Sequence, residues 1–141
     1  MPPETTLNRF IKAQENDYER ALTEVRNGKK RSHWMWYIFP QIHGLGFSEM
    51  ARHYAITSKK EAADYLQHPV LGTRLVEIST ALLTLESNDA QYILGSPDDM
   101  KLQSCMTLFA LLDNTNPVFE QVLDKYYNGK KDQKTLDLIK R

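Results

Sequence analysis

Chemistry in this chain concentrates in one short stretch, Lys29-Lys30-Arg31-Ser32-His33-Trp34-Met35-Trp36-Tyr37-Ile38-Phe39-Pro40-Gln41, which holds four of the fourteen aromatic residues just after three consecutive cations. Ser32 is placed to cap a short helix that Pro40 ends, which sets His33 in its first turn. There the positive end of the helix dipole favours a neutral imidazole, so His33 is the candidate acid, base or acceptor. Backbone N–H groups at such a start, with Lys30 and Arg31 beside them and Trp34 or Trp36 to stack on, suit a phosphate carrying a flat ring. Gln41 supplies orientation, and Lys101 and Ser104 complete the candidate ligand-binding set of Lys30, Arg31, Ser32, His33, Trp34, Trp36 and Gln41. Two other readings compete: the tryptophans are core anchors, or they are exposed anchors of a protein-interaction module with a basic rim.

The remaining chemistry is thinner. Asp98-Asp99 form an acidic pair that could serve as general acid and base or bind a metal, but consecutive helical positions point about 100° apart, and acids in a first turn already complement the dipole. Lys101, Ser104 and Cys105 share a helical face. A buried Cys105 is inert, and a reactive one needs a base, for which only His33 offers itself. His33, His43, His53 and His68 lack metal-ligand spacing and one cysteine makes no zinc finger, so no metal is expected. Gly44-Leu45-Gly46 has Glu49 where a dinucleotide fingerprint needs glycine, and there is no phosphate loop or nucleophile elbow; no cofactor is expected.

The elements that position these groups read as helices. Leu7, Phe10 and Ile11 mark a first short helix to about Gln14. Asn16 with Glu19 forms a capping-box pair opening a second of about 12 residues, which Gly28 stops. Ser48 caps a short helix. Ser58 and Glu61 cap another, which ends before Pro69, itself suited to the first position of the next. That next helix carries the cleanest stripe, Leu71, Leu75, Ile78, Leu82 and Leu85. Ser96-Pro97 and Asn116-Pro117 are start signals, and Asp132 caps a last helix bearing Leu136 and Ile139. The stripes predict a core that includes Leu71, Leu75, Ile78, Leu82, Met106, Phe109 and Leu123. Asn27-Gly28-Lys29-Lys30 returns as Asn128-Gly129-Lys130-Lys131, either as a true internal repeat or, since the middle of the chain shows no matching period, as convergence on one helix-ending device.

Composition agrees. The 141 residues make one domain, with residues 1–6 as a disordered tail, and 17 Leu against 5 Val favour helix over strand. The expectation is an all-α, single multihelical globular domain of seven to nine helices. Eighteen Lys and Arg balance eighteen Asp and Glu. No global field exists to hold a polyanion, so nucleic-acid binding ranks last and would need a local basic patch. The N-terminus lacks a signal-peptide pattern, no apolar run reaches membrane-spanning length, and one cysteine forms no internal disulfide. These features point to the cytoplasm.

Four motifs in order resemble a known family: the Gly28 to Gln41 stretch, Met50-Ala51-Arg52-His53-Tyr54-Ala55-Ile56, His68-Pro69-Val70-Leu71-Gly72, and Gly95-Ser96-Pro97-Asp98-Asp99-Met100-Lys101-Leu102. Together they are similar to the bacterial domain-of-unknown-function family 1810, whose members are sometimes labelled calpastatin. The resemblance runs from about Leu7 to the final helix and implies a multihelical cytoplasmic domain. It implies no reaction. The calpastatin label does not suit the chain, since such an inhibitor is a long disordered polypeptide and this one carries capped helices.

Overall fold

A computed structural model describes residues 3–140, with side chains from Leu7 onward; of the tail expected over 1–6, residues 1 and 2 lie outside the described residues, and the backbone from Pro3 on belongs to the first helix. Within them are nine helices: α1 (Pro3–Arg26), α2 (Met35–Ile38), α3 (Glu49–His53), α4 (Lys59–Gln67), α5 (Leu71–Leu83), α6 (Ala90–Leu94), α7 (Asp98–Ala110), α8 (Val118–Tyr127) and α9 (Gln133–Ile139). The only pairing of extended backbone among them is an isolated parallel bridge, Ile42 to Ile56. It ties the loop after α2 to the start of α4 through Ile56 N–H to Gln41 C=O and His43 N–H to Ile56 C=O, each 2.8 Å.

Two helices expected at the N-terminus are one. Phe10, Gln14, Tyr18, Ala21 and Val25 are all buried and step along the helix by four, four, three and four, so a single stripe crosses the proposed break. No Gly or Pro interrupts it, and Asn16 simply faces solvent. Gln14 is the polar member of that stripe. Its amide donates to Tyr37 C=O (2.8 Å) and to the Tyr65 hydroxyl (2.9 Å), locking α1 to α2 and α4.

Local caps set most other boundaries. The Ser48, Ser58 and Asp132 side chains accept from Ala51, Glu61 and Thr135 N–H respectively, as the sequence predicts. Two starts differ. Helix α5 begins at Leu71, two residues past Pro69, because His68 Nδ1 accepts from Val70 N–H (3.1 Å) and Leu71 N–H (3.3 Å) and acts as the cap. Helix α7 begins at Asp98 and has no side-chain cap, so Ser96 does not play that part.

Helices α5, α7 and α8 form the centre, with α1 and α4 packed on α5 and with α6 and α9 on α7. The predicted core residues Leu71, Leu75, Ile78, Leu82, Met106, Phe109 and Leu123 are all buried there. Leu85 lies beyond the end of α5 and only packs against the edge of this cluster. Cys105 is wholly enclosed, and burial pushes its thiol well above the ordinary value. Helices α4 and α5 meet so closely at Gly72 that a Cβ there would lie 1.9 Å from Leu66 O.

Truncating Ile78 to Ala removes a fully buried side chain and is expected to cost about 2 to 5 kcal/mol in urea-unfolding free energy. Gly72→Ala should cost about 3 kcal/mol or more by the same measurement, since backbone and not a side-chain tip blocks the methyl. A neutral result at Gly72 would mean that α4 and α5 do not cross there.

Candidate functional site

Helix α1 ends at Arg26, Gly28 turns the chain with φ of 77°, and the segment folds back along α1 before entering α2. The buried side chain of Glu24 organises that return. Its Oε1 accepts from Arg31 N–H (2.7 Å), Ser32 N–H (3.0 Å) and the Trp34 indole N–H (2.9 Å), while Oε2 accepts from the Ser32 hydroxyl (2.6 Å). Burial pushes the Glu24 pKa up, but the hydrogen bonds from Ser32, Arg31 and Trp34 outweigh it and hold the carboxyl below its ordinary value. Ser32 therefore caps nothing. The position before α2 is Trp34, without a side-chain cap bond, and the Arg31 and Ser32 N–H groups just upstream hold the protein's own carboxylate.

Trp34 is completely buried, which makes it a core anchor. The Lys30 ammonium lies 5.1 Å from its ring centre and forms a 2.9 Å ion pair with Asp98 Oδ2. Asp98 Oδ1 is 3.6 Å from Lys101 Nζ, and that ammonium lies 5.3 Å from the centre of the Trp36 ring. One carboxylate thus bridges two lysines, each over a different indole. Only Trp36 of the two tryptophans reaches the surface, partly exposed, and the side chains of Arg31 and His33 are exposed nearby in the chain. The His33 carbonyl accepts from the Tyr37 hydroxyl (3.2 Å), which also donates to Asp17; burial and that carboxylate push the Tyr37 phenol up.

The expected set divides. Lys30, Trp36 and Lys101 come together around Asp98. Gln41 and Trp36 share a void of about 20 Å³, room for roughly one water and no ligand. Ser104 belongs elsewhere: its hydroxyl is 3.0 Å from Asp132 Oδ2, in the α9 cap. Cys105 is sealed in the core and is not a nucleophile that the exposed His33 can serve. The acidic pair diverges as helical geometry requires, Asp98 towards the lysines and Asp99 towards Tyr127, whose hydroxyl donates to Asp99 C=O (2.5 Å). Asp99 Oδ1 is buried without a hydrogen-bond partner among the described residues. Larger open clefts lie away from the indoles. One of about 730 Å³ runs between Leu66, Val76 and the 112–117 loop, and one of about 880 Å³ lies between α7, the end of α8 and α9.

Glu24 and Asp98 were the residues that sequence reasoning missed as organisers. Glu24 sits on the inner face of α1 beside Ala21 and Val25, and a carboxylate on an apolar stripe was the available signal. Asp98 reads in the sequence as half of an acidic first-turn pair, with nothing local to join it to Lys30. Among the described residues no group of three or more His, Cys, Asp or Glu is arranged to hold a metal, and no helix is long and apolar enough to cross a membrane.

The sequence pattern of the family described as "Protein of unknown function (DUF1810)" matches residues 4–139. The fold is similar to the crystal structure of the conserved hypothetical protein Rv1873 from Mycobacterium tuberculosis, with a TM-score of 0.93 and 44% identity over 96% of each chain. No curated protein matches the chain.

Replacing Glu24 by Gln sets an amide N–H₂ among four donors and should cost about 3 kcal/mol or more at neutral pH. Because the folded-state pKa is lowered, the Glu24 contribution is complete above the ordinary carboxylate range and is lost as pH falls through the folded-state value. Denaturant titrations of wild type and Glu24→Gln should therefore converge in acid. A gap of constant size down to the acid transition would show that the hydrogen-bonded carboxylate is not its source.

Proposed function

Since the chain belongs to the DUF1810 family, which hands down no activity, we propose from its geometry that it is a recognition domain for an anionic, phosphorylated or nucleotide-like small molecule, taken up in the cytoplasm at Lys101 and Trp36 beside the Lys30–Asp98 pair, with the exposed Arg31 close by in the chain. One observation carries this reading: Asp98 is shared by two ammonium groups, so the cluster has an excess positive charge held against an indole. A phosphate joining Lys101 satisfies ammonium donors that a single carboxylate at 3.6 Å leaves open, and the partly exposed Trp36 face offers a ring to stack on. Arg31 adds an exposed guanidinium close by in the chain, outside the Glu24 network, to which it gives only its backbone N–H. His33 is an exposed acceptor or donor beside it.

The openness of this surface favours a second reading. Ligand sites usually enclose most of their ligand, and the void beside Trp36 is water-sized, so a protein segment bearing an acidic group could use Trp36 as anchor and the lysines as rim.

A thermal-shift screen of nucleotides, sugar phosphates and acidic metabolites separates the two readings. A ligand at about 100 times its dissociation constant stabilises by about 2.7 kcal/mol. That gain is expected to shrink in Arg31→Ala and in Lys101→Ala, both surface changes that leave the core intact. If it survives these and His33→Ala but disappears in Asp99→Asn, recognition lies at the other side of α7. No stabilisation by any compound, together with recovery of one acidic partner that depends on Trp36, would replace the small-molecule reading with the second.

A further inference from the structure

The two Asn-Gly-Lys-Lys segments both turn on a positive-φ glycine, Gly28 (φ 77°) and Gly129 (φ 78°), and use their lysines differently. After α1, Lys29 donates to Tyr92 C=O (3.0 Å) over the Tyr92 ring, and Lys30 pairs with Asp98, so both ammonium groups have partners within the protein. After α8, the left-handed pair Asn128 (φ 55°) and Gly129 (φ 78°) turns the chain towards α7 and exposes Lys130. Of the lysines that follow, Lys131 is 3.3 Å from the exposed carboxylate of Glu120, while Lys130 and Lys134 have no carboxylate in ion-pair range among the described residues.

All three lysines line the open trough of about 880 Å³, whose α7 wall is Met100 and Gln103. The loop that carries Lys130 and Lys131 is fixed, and Lys134 stands on the first turn of α9. Gly129 N–H donates to Leu123 C=O (3.0 Å), Lys130 N–H to Tyr127 C=O (3.0 Å), and the Gln103 amide to Lys130 C=O (2.9 Å). Asp132, the one acidic lining residue, turns inward: its Oδ2 receives Thr135 N–H (3.1 Å), the Thr135 hydroxyl (2.6 Å) and the Ser104 hydroxyl (3.0 Å), and its N–H donates to Thr107 Oγ1 (2.9 Å). The trough therefore presents ammonium groups on a prearranged backbone, with the side chain of Met100, 63% exposed, as an apolar shelf. This is the local basic patch that a chain of zero net charge needs to hold a polyanion.

We propose that this trough is an anion site, separate from the indole cluster, which takes a chain of phosphates on Lys130, Lys131 and Lys134. The phosphates belong either to a polyphosphorylated small molecule or to a single-stranded nucleic-acid backbone. The chemistry is the same for both, ammonium to phosphate oxygen with release of counterions, and the two sources differ in salt dependence and in the number of phosphates engaged.

Inorganic tripolyphosphate followed by calorimetry and a fluorescein-labelled single-stranded oligonucleotide followed by anisotropy test the site on the full chain. The double variant K130E/K134E, which changes two exposed side chains, should weaken binding of the responsive probe by about tenfold or more. The equal charge change K59E/K60E at the start of α4 should weaken it less than about twofold, because these exposed lysines do not line the trough and solvent and salt screen their charge. Binding of tripolyphosphate alone identifies a small-molecule chain. Binding of the oligonucleotide alone, with a steep salt dependence, identifies the backbone. Equal losses in the two double variants, or no binding of either probe by the unaltered protein, overturn the proposal. A loss confined to Lys101→Ala also overturns it and moves the anion to the indole cluster, so the two proposals fail separately.

Discussion

Glu24 is the constraint on which the arrangement of the surface depends. A carboxylate taken out of water at the inner face of α1 costs several kcal/mol unless its oxygens are satisfied, and here four donors from three residues of the returning segment do so. The segment has little freedom left once those bonds are made. Trp34 must enter the core with its indole N–H facing α1, and Lys30 and Trp36 take their places on either side of it. Lys30 N–H to Ile93 C=O (2.7 Å) then fixes the same segment to α6, whose neighbour α7 brings Asp98 and Lys101. An anion built into the fold is thus what sets out the cations.

The same logic governs the other buried charges. Arg9 donates to His53 C=O (2.8 Å), Ala55 C=O (2.7 Å) and the Glu61 carboxylate (3.0 Å), and Glu61 also accepts from Thr57 N–H (2.9 Å). One guanidinium in this way links α1 to the loop between α3 and α4. Removing either member would strand the other in a partly desolvated place, which is more costly than the pair is stabilising. Gln14 does the equivalent work without charge, so the long first helix carries three polar fasteners, Arg9, Gln14 and Glu24, at successive levels of a largely apolar face.

Those fasteners mark the limit of what was legible in the amino-acid order. The all-helical class, the stripe of α5, the caps at Ser48, Ser58 and Asp132 and seven core side chains followed from spacing, because each depends on residues within a turn or two. The capping pair at Asn16 and Glu19 predicts a break on local grounds alone, while burial of Gln14 and Tyr18 by distant helices keeps α1 continuous. The Ser32 hydroxyl was assigned to the nearest helix start when its partner lies eight residues back across a reversal. His68 as a cap was missed because imidazole is seldom read as an acceptor of backbone N–H. The Lys30–Asp98 pair joins residues that no local pattern connects. Short-range chemistry was readable, and long-range polar pairing was not.

Cys105 gives the molecule an internal reporter. It is the sole thiol of the chain, completely enclosed, in a setting that disfavours the thiolate. An alkylating reagent can reach it only after α7 separates from the helices around it, and a free thiol then reacts at its ordinary rate. In the regime where reclosing outruns the reagent, the slowing of labelling relative to an unfolded thiol equals the opening equilibrium of the core. The chain can therefore be read for stability at native conditions, in dilute solution or in a lysate, by the clock of one modification and without denaturant.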